Sequence, residues 1–426
     1  MAETERKEQA LLVGINNMED EDDFDRSMEE LERLAQACNM ETVGILTQKL
    51  ETVNNALYLG SGKVQELKEF AENIDADIIV FDNSLTPTQL RNLQQILKKP
   101  ILDRTSLILD IFSERARTRE AKLQVETAKL QYLLPRLVGM HEALSRQGGG
   151  SGLANKGAGE KKLELDRRKI EHRLAELRRE LEEVAEERET QRKKRLASSL
   201  PLVALVGYTN AGKSTLLNRM IDKYAGDESK KVLEKDMLFA TLETTVRKIE
   251  LPDRRKFLLS DTVGFIHKLP PSLIKAFRST LEEIKNADLL LHVIDYADKN
   301  YKKQIAVTEK TLEELGCASI PVIYVYNKSD LCMDYYPKVQ GGSRIYMAAG
   351  SGEGMNELLA LISQKLFRDY KEAEFLIPYD KGQIMSYLME NALLKDMEYT
   401  EKGIYLKAAC SKEDHARYEE YLNNDK

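Results

Sequence analysis

Hydrophobic and polar positions in the first hundred residues follow two alternating patterns. Short apolar runs predict buried strands, and stretches with an apolar residue at every third or fourth position predict helices. We expect strands at 10–15, 42–46 and 76–82, and helices at 26–38, 61–72 and 86–97. This alternation predicts a small α/β subdomain with a parallel sheet over residues 1–102.

Between residues 103 and 197 the pattern changes to two long amphipathic stretches. Their apolar side chains recur at a spacing of three or four, as in packed helices. The two seams are Leu123, Leu130, Leu134, Leu137 and Leu144, then Leu163, Ile170, Leu174, Leu177, Leu181 and Val184. Pro135 is expected to bend the first helix. Two seams separated by a glycine-rich segment predict an antiparallel helical hairpin.

Strand and helix patterns alternate again over residues 198–368. Buried strands are expected at 201–207, 256–265, 287–295 and 320–330. His292 falls inside one of these apolar runs, so we interpret it as a core residue. Residues 369–426 predict a further small α/β domain. The expected fold class is therefore an α/β multidomain protein with a helical hairpin inserted between its domains.

Composition adds a cellular setting and a class of partner. The chain has 426 residues, and no apolar run reaches the roughly 18 residues of a membrane-spanning helix. Its four cysteines are scattered, and the first residues lack the apolar stretch of a signal peptide, so we expect a cytoplasmic protein. We also expect a monomer. The net charge is −7, yet residues 104–195 carry 22 Lys and Arg against 16 Asp and Glu. A basic arm on an acidic protein favours a polyanionic partner.

The segment GYTNAGKST at 207–215 has the pattern of a phosphate-binding loop. Gly207 and Gly212 allow backbone N–H groups to curl around a β-phosphate. Lys213 is expected to reach the β- and γ-phosphate oxygens, and the Ser214 hydroxyl is expected to bind Mg²⁺. This motif predicts a nucleoside triphosphate site.

Two further motifs narrow the nucleotide to GTP. In DTVGF, at 261–265, Asp261 can hold Mg²⁺ through water, and the Gly264 N–H can bond the γ-phosphate. In NKSD, at 327–330, the Asp330 carboxylate can accept hydrogen bonds from N1–H and N2–H₂ of guanine, a pair that adenine does not offer. The three motifs, 54 and then 66 residues apart, predict an enzyme that converts GTP to GDP and phosphate.

The nucleotide site predicted from these motifs extends to their neighbours, and Phe239, Ala240 and Thr241 join it through the resemblance described below. Its other members are Gly207, Tyr208, Thr209, Asn210, Ala211, Gly212, Lys213, Ser214, Thr215, Asp261, Thr262, Val263, Gly264, Asn327, Lys328, Asp330, Ala348, Ala349 and Gly350. The last three stand where a Ser-Ala-Lys sequence is usual, so a lysine that stacks on guanine is absent there.

Two positions bear on the rate of hydrolysis. Phe265 stands where Ras-like enzymes place the glutamine that orients the attacking water, which predicts slow intrinsic hydrolysis. Asn210 matches the asparagine that K⁺-activated GTPases use to hold potassium. Two interpretations of Asn210 stay open, a K⁺ ligand and a residue that stabilises the loop.

Two glycine-rich segments each allow two interpretations. The segment 146–162 is either a flexible connector or a contact with RNA, whose crowded surface glycine backbone can approach closely. Its candidate contacts are Arg146, Gly149, Gly150, Gly152, Asn155, Lys156 and Gly157. The segment 60–63 is either a tight turn in which Ser61 caps the following helix, or a second nucleotide site.

Four stretches resemble HflX-type GTPases, a ribosome-associated branch near the Obg family. They are DRTSLILDIFSERARTREAKLQVETAKLQYLLPRL, GAGEKKLELDRR, FATLETTVR and DTVGFIHKLPPSLIKAFRSTLEEIKNADLLLHVID. The resemblance covers nearly the whole chain. It implies binding to the large ribosomal subunit and its rRNA, and dissociation of ribosomes into subunits under stress, with the hairpin loop near the peptidyl-transferase centre.

The resemblance also assigns Thr241, in the sequence Phe239-Ala240-Thr241, as an Mg²⁺ ligand that contacts the γ-phosphate. Catalytic roles are then expected for Lys213, Thr241 and Gly264, and magnesium contacts for Ser214, Thr241 and, through water, Asp261. Two alternatives stay open on the sequence: a GTPase that acts in large-subunit assembly, and a signalling adaptor whose hairpin binds a protein partner.

Overall fold

The computed structural model describes residues 6–17, 21–146, 153–196, 200–224, 245–251, 255–262, 264–266, 268 and 284–423. These residues form two compact units. The first includes the described residues up to Gln191, together with Ile266 and Lys268, and the second contains the others.

The first unit is built on a four-stranded sheet in which every pairing is parallel, as predicted. Its strands are β1 (Glu8–Asn16), β2 (Met40–Lys49), β3 (Ile78–Phe81) and β4 (Ile101–Asp103), in the order β2-β1-β3-β4. The sequence pattern missed β4 because three residues are too few to show a period. Leu11, Val13 and Phe81 are fully buried in its core.

The helices of the first unit are α1 (Glu21–Ala37), α2 (Ser61–Asn73), α3 (Pro87–Leu97), α4 (Arg104–Arg115), α5 (Arg119–Arg146) and α6 (Leu153–Leu196). The prediction that Ser61 caps α2 was wrong. The cap position is Gly60, no side chain caps it, and Ser61 is the first helical residue. The Gly60 N–H donates instead to Oε1 of Gln48 at 3.0 Å, which secures the turn from outside the helix.

Helices α5 and α6 pair in antiparallel fashion, as the two seams predicted. Arg173 of α6 donates to both carboxylate oxygens of Glu126 on α5, at 2.7 and 3.0 Å. Leu123, Leu174 and Leu177 are buried along the seam. Pro135 lies inside α5, which continues through it to Arg146.

The predicted glycine-rich loop at 146–162 is wrong over its second half. Helix α6 begins at Leu153, so Asn155, Lys156 and Gly157 are helical. A glycine inside a helix costs only about 1 kcal/mol relative to alanine, and the surrounding Ala, Lys and Glu residues favour the helix. Gly149, Gly150 and Gly152 lie outside the described residues.

The second unit contains a seven-stranded sheet. Its strands are β5 (Leu202–Val206), β6 (Thr245–Glu250), β7 (Lys256–Asp261), β8 (Leu289–Asp295), β9 (Val322–Asn327), β10 (Lys338–Gln340) and β11 (Arg344–Tyr346), in the order β10-β11-β9-β8-β5-β7-β6. The four predicted strands β5, β7, β8 and β9 form its parallel centre. The three that prediction missed lie outside this centre, where short strands with exposed residues lack a continuous apolar run.

Three helices accompany this sheet in the described residues: α7 (Lys213–Tyr224), α8 (Tyr301–Glu314) and α9 (Met355–Leu366). A separate antiparallel sheet of order β12-β14-β13 follows in the chain. Its elements are β12 (Lys371–Ile377), α10 (Gly382–Asn391), β13 (Leu393–Thr400), β14 (Gly403–Cys410) and α11 (Lys412–Arg417). The predicted α/β multidomain fold class is confirmed. Across the described segments, no helix is both long and apolar enough to cross a bilayer.

Candidate functional site

The phosphate-loop sequence lies between β5 and α7, at the carboxyl edge of the parallel strands, where α/β sheets bind ligands. Two of its positions require glycine. Gly207 has φ of +143°, and a Cβ there would lie 2.2 Å from the carbonyl oxygen of Val293. Gly212 has φ of +94°, and a Cβ there would lie 2.2 Å from Nδ2 of Asn327. The loop therefore packs tightly against β8 and β9.

Lys213, the first residue of α7, folds its side chain back into this loop. Its Nζ donates to the carbonyl oxygens of Tyr208 at 2.7 Å and Gly207 at 3.1 Å. Burial lowers the pKa of Lys213 to about 8, against the opposing effect of the Asp261 carboxylate. A buried cation held by two carbonyl dipoles is placed to attract a phosphate group.

Asp261 ends β7 and is fully buried. Its Oδ2 accepts a hydrogen bond from the Ser214 hydroxyl at 3.0 Å, and its Oδ1 accepts from the backbone N–H of Thr262 at 2.9 Å. An adjacent hydroxyl and carboxylate are the oxygen donors that Mg²⁺ prefers, so this pair suits a magnesium ion. The Thr262 hydroxyl turns away and donates to the carbonyl of Leu205 at 2.6 Å.

The chain that follows Asp261 runs along the phosphate loop. The Phe265 N–H donates to the carbonyl oxygen of Gly207 at 3.1 Å, and the Phe265 carbonyl oxygen accepts from the Thr209 N–H at 2.8 Å. A Cβ on Gly264 would lie 2.9 Å from Thr209 and 3.0 Å from Nζ of Lys213. Only glycine fits there without displacing the loop. The Phe265 ring is buried, so this residue has a packing role that prediction missed.

Asn327, at the end of β9, joins two loops of the site. Its Nδ2 donates to the carbonyl of Ala211 at 2.9 Å, and its Oδ1 accepts from the N–H of Ala349 at 2.8 Å. The sequence motif marked Asn327 as a site residue, but its double contact depends on tertiary structure. Arg219 of α7 was missed altogether: its guanidinium donates to the carbonyl of Gly350.

Asp330 lies in the turn after Asn327 and is an exposed residue. Lys328 has φ of +61°, and its ammonium group bonds Oδ2 of Asp295 at 2.7 Å. Ala348 and Ala349 are buried in the neighbouring loop. The structure thus brings the motifs around 207–215, 261–264, 327–330 and 348–350 together within the second unit.

Some predicted residues cannot be placed. Phe239, Ala240, Thr241 and Val263 lie outside the described residues.

Asn210 has φ of +61° in the phosphate loop. His292 is buried as predicted, and burial lowers its pKa to about 3, with the charge of Lys213 acting in the same direction.

Models of four protein families match the chain in succession. They are described as GTP-binding GTPase N-terminal (residues 25–113), GTP-binding GTPase Middle Region (115–195), 50S ribosome-binding GTPase (202–328) and HflX C-terminal domain (338–425).

Individual proteins match over nearly the same length. A GTPase HflX from Caldanaerobacter subterraneus subsp. tengcongensis is 46% identical over 98% of this chain and 94% of its own. A GTPase HflX from Alkalihalophilus pseudofirmus is 43% identical over 92% of this chain and 91% of its own. Among solved structures, a GTP-binding protein from Sulfolobus solfataricus in complex with GDP covers 84% of this chain and 98% of its own, at 24% identity and a TM-score of 0.43.

Proposed function

Because this chain belongs to the HflX family of GTPases, we propose that it is a GTP-hydrolysing switch that binds the large ribosomal subunit and dissociates ribosomes into subunits under stress. The chain is a ribosome-associated GTPase. The proposal adds the subunit that it binds and the result of binding.

One observation carries the assignment of the nucleotide site. Asn327 holds the phosphate loop through Ala211 and the loop at 348–350 through Ala349, within hydrogen-bond distance of both. Asn327 therefore fixes the position of the phosphate loop relative to the loop at 348–350, which is expected to lie beside the guanine base. Asp330, three residues after Asn327, is exposed and available to guanine.

We assign Mg²⁺ to Ser214 and, through water, to Asp261, because their oxygens lie together at 3.0 Å. The ion would neutralise charge on the β- and γ-phosphates during hydrolysis. Lys213 would hold the same phosphate oxygens, and the Gly264 N–H would bond the γ-phosphate. Thr241 is proposed as the second magnesium ligand and lies outside the described residues. Asn210 is the candidate K⁺ ligand.

The hairpin is the proposed ribosome-binding element. Residues 104–195 are net positive, and in the described part of α6 the side chains of Arg167, Arg168, Arg178 and Arg179 are exposed. Such a surface attracts the phosphates of rRNA, and its affinity should fall as salt rises. Specific contacts are proposed for the tip, at Arg146, Gly149, Gly150, Gly152, Asn155, Lys156 and Gly157.

Three further assignments accompany this function. We propose domain bounds of 1–102, 103–197, 198–368 and 369–426, which limited proteolysis would test. We also propose that the protein acts in the cytoplasm, where a ribosome-binding GTPase finds its partner, and that it acts as a monomer.

Co-sedimentation with purified ribosomal subunits tests the proposal, in GTP, GDP and a non-hydrolysable GTP analogue. We expect the protein to pellet with large subunits in the GTP analogue and less in GDP. Intact ribosomes incubated with the protein and GTP should separate into subunits on a sucrose gradient. Binding without separation would favour the assembly factor. Binding to a protein partner that survives RNase would favour the adaptor.

A further inference from the structure

Four tyrosine rings, here called the tyrosine cluster, lie together in the second unit. Tyr326 of β9 and Tyr346 of β11 stack with their ring centroids 4.6 Å apart and their planes 13° from parallel. Tyr296, which follows β8, packs edge-on against both, with centroid distances of 5.5 Å to Tyr326 and 5.2 Å to Tyr346. Tyr301, the first residue of α8, packs edge-on against Tyr296 at 5.1 Å. The four rings are therefore contiguous.

The strand register places this cluster on the face of the sheet opposite the hydrophobic core. Val325 and Ile345, which directly precede two of the tyrosines, are fully buried in that core. Tyr346 pairs with Tyr326 on one side and with Lys338 of β10 on the other. Because directly paired residues share a face of a sheet, Lys338 lies on the tyrosine side, at the sheet edge.

Three of the four rings keep part of their area in contact with solvent. Tyr326 is 8% exposed and forms the buried floor of the cluster. Tyr296, Tyr301 and Tyr346 are half-buried. The sheet therefore holds a partly exposed aromatic area in a fixed position.

Basic residues accompany the rings, although the chain as a whole carries a charge of −7. The segments 296–304 and 338–346 contain five Lys and Arg against one Asp. Arg344, two residues before Tyr346, shares its face because side chains alternate along a strand. Arg344 and Lys338 are both exposed. This local excess of positive charge attracts a polyanion.

The carboxylates on this side of the sheet have hydrogen-bond donors of their own. Asp298 accepts from the side-chain amide of Gln304 at 2.7 Å. Glu309 of α8 accepts from the Tyr324 hydroxyl at 2.8 Å. The edge strands β10 and β11 contain no acidic residue. The charge at the sheet edge is therefore positive.

Single-stranded RNA matches both properties, because its unpaired bases stack on aromatic rings while cations contact its phosphates. We propose that the tyrosine cluster, with Lys338 and Arg344 beside it, binds single-stranded RNA by stacking bases on the partly exposed rings. RNA is the polyanion that a ribosome-associated GTPase meets. A protein would also suit the tyrosines, but the positive charge favours a ligand with a phosphate beside every base. The cluster belongs to the second unit and the hairpin to the first, so this RNA site is separate from the hairpin.

Fluorescence anisotropy on the full-length protein with GDP tests the proposal. One probe is a labelled oligoadenylate of about 12 nucleotides, and the other is an abasic RNA oligonucleotide of the same length. Both probes carry the same phosphates, so binding through the basic helices of the hairpin contributes equally to both affinities. Wild type should bind the oligoadenylate at least about 5-fold more tightly than the abasic probe, as expected for one stacked base.

Substitutions in the cluster should change this affinity ratio. Tyr346→Leu keeps an apolar side chain but removes the ring, so the ratio should fall towards one, whereas Tyr346→Phe should retain it. Tyr301→Leu is a second variant with the same expected loss. Arg344→Gln should weaken binding of both probes and leave their ratio unchanged. The control is Tyr399→Leu, at a 66% exposed tyrosine of the C-terminal sheet, which should bind both probes as wild type does.

Affinity for GDP shows whether each variant folds, because the nucleotide site lies in the same unit. Ultraviolet cross-linking of wild type to the oligoadenylate needs no variant. The cross-linked peptides should contain Tyr296, Tyr301 or Tyr346, and cross-links confined to other segments overturn the proposal.

Equal affinity of wild type for the two probes also overturns the proposal, and a protein is then the better match for the tyrosines. An unchanged ratio in leucine variants that still bind GDP has the same consequence. These measurements use no ribosomes. Failure of the RNA site is therefore distinguishable from failure of the proposed function, which co-sedimentation with ribosomal subunits tests.

Discussion

The side-chain amide of Asn327 donates to the carbonyl oxygen of Ala211 at 2.9 Å, and so connects the base-reading motif to the phosphate loop. Its other end accepts from Ala349 at 2.8 Å. Asn327 is 3% exposed, so water cannot readily replace either bond. Asn327→Ala should weaken both GDP and GTP binding by roughly 10-fold or more, since each buried hydrogen bond is worth about 1 kcal/mol and unpaired groups add to the loss.

Fluorescent-nucleotide titration measures this effect. Asn92→Ala is the matched control, because the Asn92 amide also donates to a backbone carbonyl, that of Ala56, at 3.0 Å but in an exposed position of the first unit. Equal nucleotide affinities of Asn327→Ala and wild type would show that the two loops keep their relative positions without this side chain.

Nucleotide selectivity should depend on Asp330. Asp330→Asn replaces a double acceptor with an amide that matches xanthine better than guanine. GTP affinity should fall about 10- to 150-fold, the equivalent of one hydrogen bond to a charged group. Competition between GTP and xanthosine triphosphate measures it, with Asp334→Asn, also exposed, as the control. Unchanged GTP affinity, with no gain for the xanthine nucleotide, would place base recognition elsewhere.

His292 should make stability depend on pH below neutrality. Burial lowers its pKa from 6.5 to about 3, so in this range the unfolded chain binds a proton that the folded chain does not. Stability should therefore fall as pH decreases from about 6.5 towards 3, by at most about 1.4 kcal/mol per pH unit.

His292→Leu removes the titratable imidazole and places an apolar side chain at this buried position of β8. The unfolding midpoint of this variant should change less between pH 7 and pH 5 than that of wild type. Among the residues that the structure describes, none forms a hydrogen bond with Nδ1 of His292, so the substitution breaks no such bond there. Parallel pH profiles for the two proteins would assign the acid sensitivity to other groups.

Prediction from sequence worked where chemistry requires a fixed local pattern. Gly207 and Gly212 could be named because a phosphate loop needs backbone that only glycine allows, and the structure gives both a positive φ. The double contact of Asn327 was not predictable, because Ala211 and Ala349 lie 116 and 22 residues away in the chain. Residues that act through long-range contacts leave no periodic signal.

The hairpin shows a different limit. Its seams were predictable because Leu123 and Leu177 repeat with the helix period, and both are buried. The start of α6 was misplaced because the glycines between 148 and 159 suggested loop throughout, whereas the helix begins at Leu153. Local propensity is weaker than the extension of an existing helix.

Hydrolysis by the free protein should be slow. Phe265 offers no hydrogen bond to water, and its ring is buried beside the phosphate loop. We expect turnover on the order of 10⁻³ s⁻¹, as in GTPases without a stimulating partner, and an increase of roughly 10²-fold with large subunits. Phosphate release with and without subunits is the measurement. Fast turnover by the free protein would mean that another group orients the water.

Potassium dependence should separate the two interpretations of Asn210. Turnover in K⁺ should exceed turnover in Na⁺ if its side chain holds the ion. Asn210→Gly is the suitable variant, because the φ of +61° would strain alanine. Loss of the K⁺ stimulation in this variant, with GDP affinity retained, supports a potassium site. Equal rates of wild type in the two salts would leave Asn210 with only a structural role in the loop.

Ribosome dissociation should depend on the glycines at the hairpin tip more than on the charge of the arm. A variant with serine at four glycine positions would adopt positive φ less readily, and its backbone would approach RNA less closely. The positions are Gly148, Gly149, Gly150 and Gly152. Nucleotide affinity should be unchanged, because the described nucleotide site lies in the second unit and the hairpin in the first. Salt-sensitive ribosome binding should persist, because the basic helices still contact rRNA phosphates. Ribosome dissociation should fall at least about 10-fold, because the contacts that recognise a specific site on the ribosome are lost.

Sucrose-gradient profiles of intact ribosomes incubated with GTP measure the outcome. Lys213→Ala provides the contrast, because it should weaken nucleotide binding directly and leave the tip unaltered. The tip variant therefore separates GTP binding from action on the ribosome. Full dissociation by the serine variant would make the segment a connector, and the ribosome would then have to be recognised by the helices or by another domain.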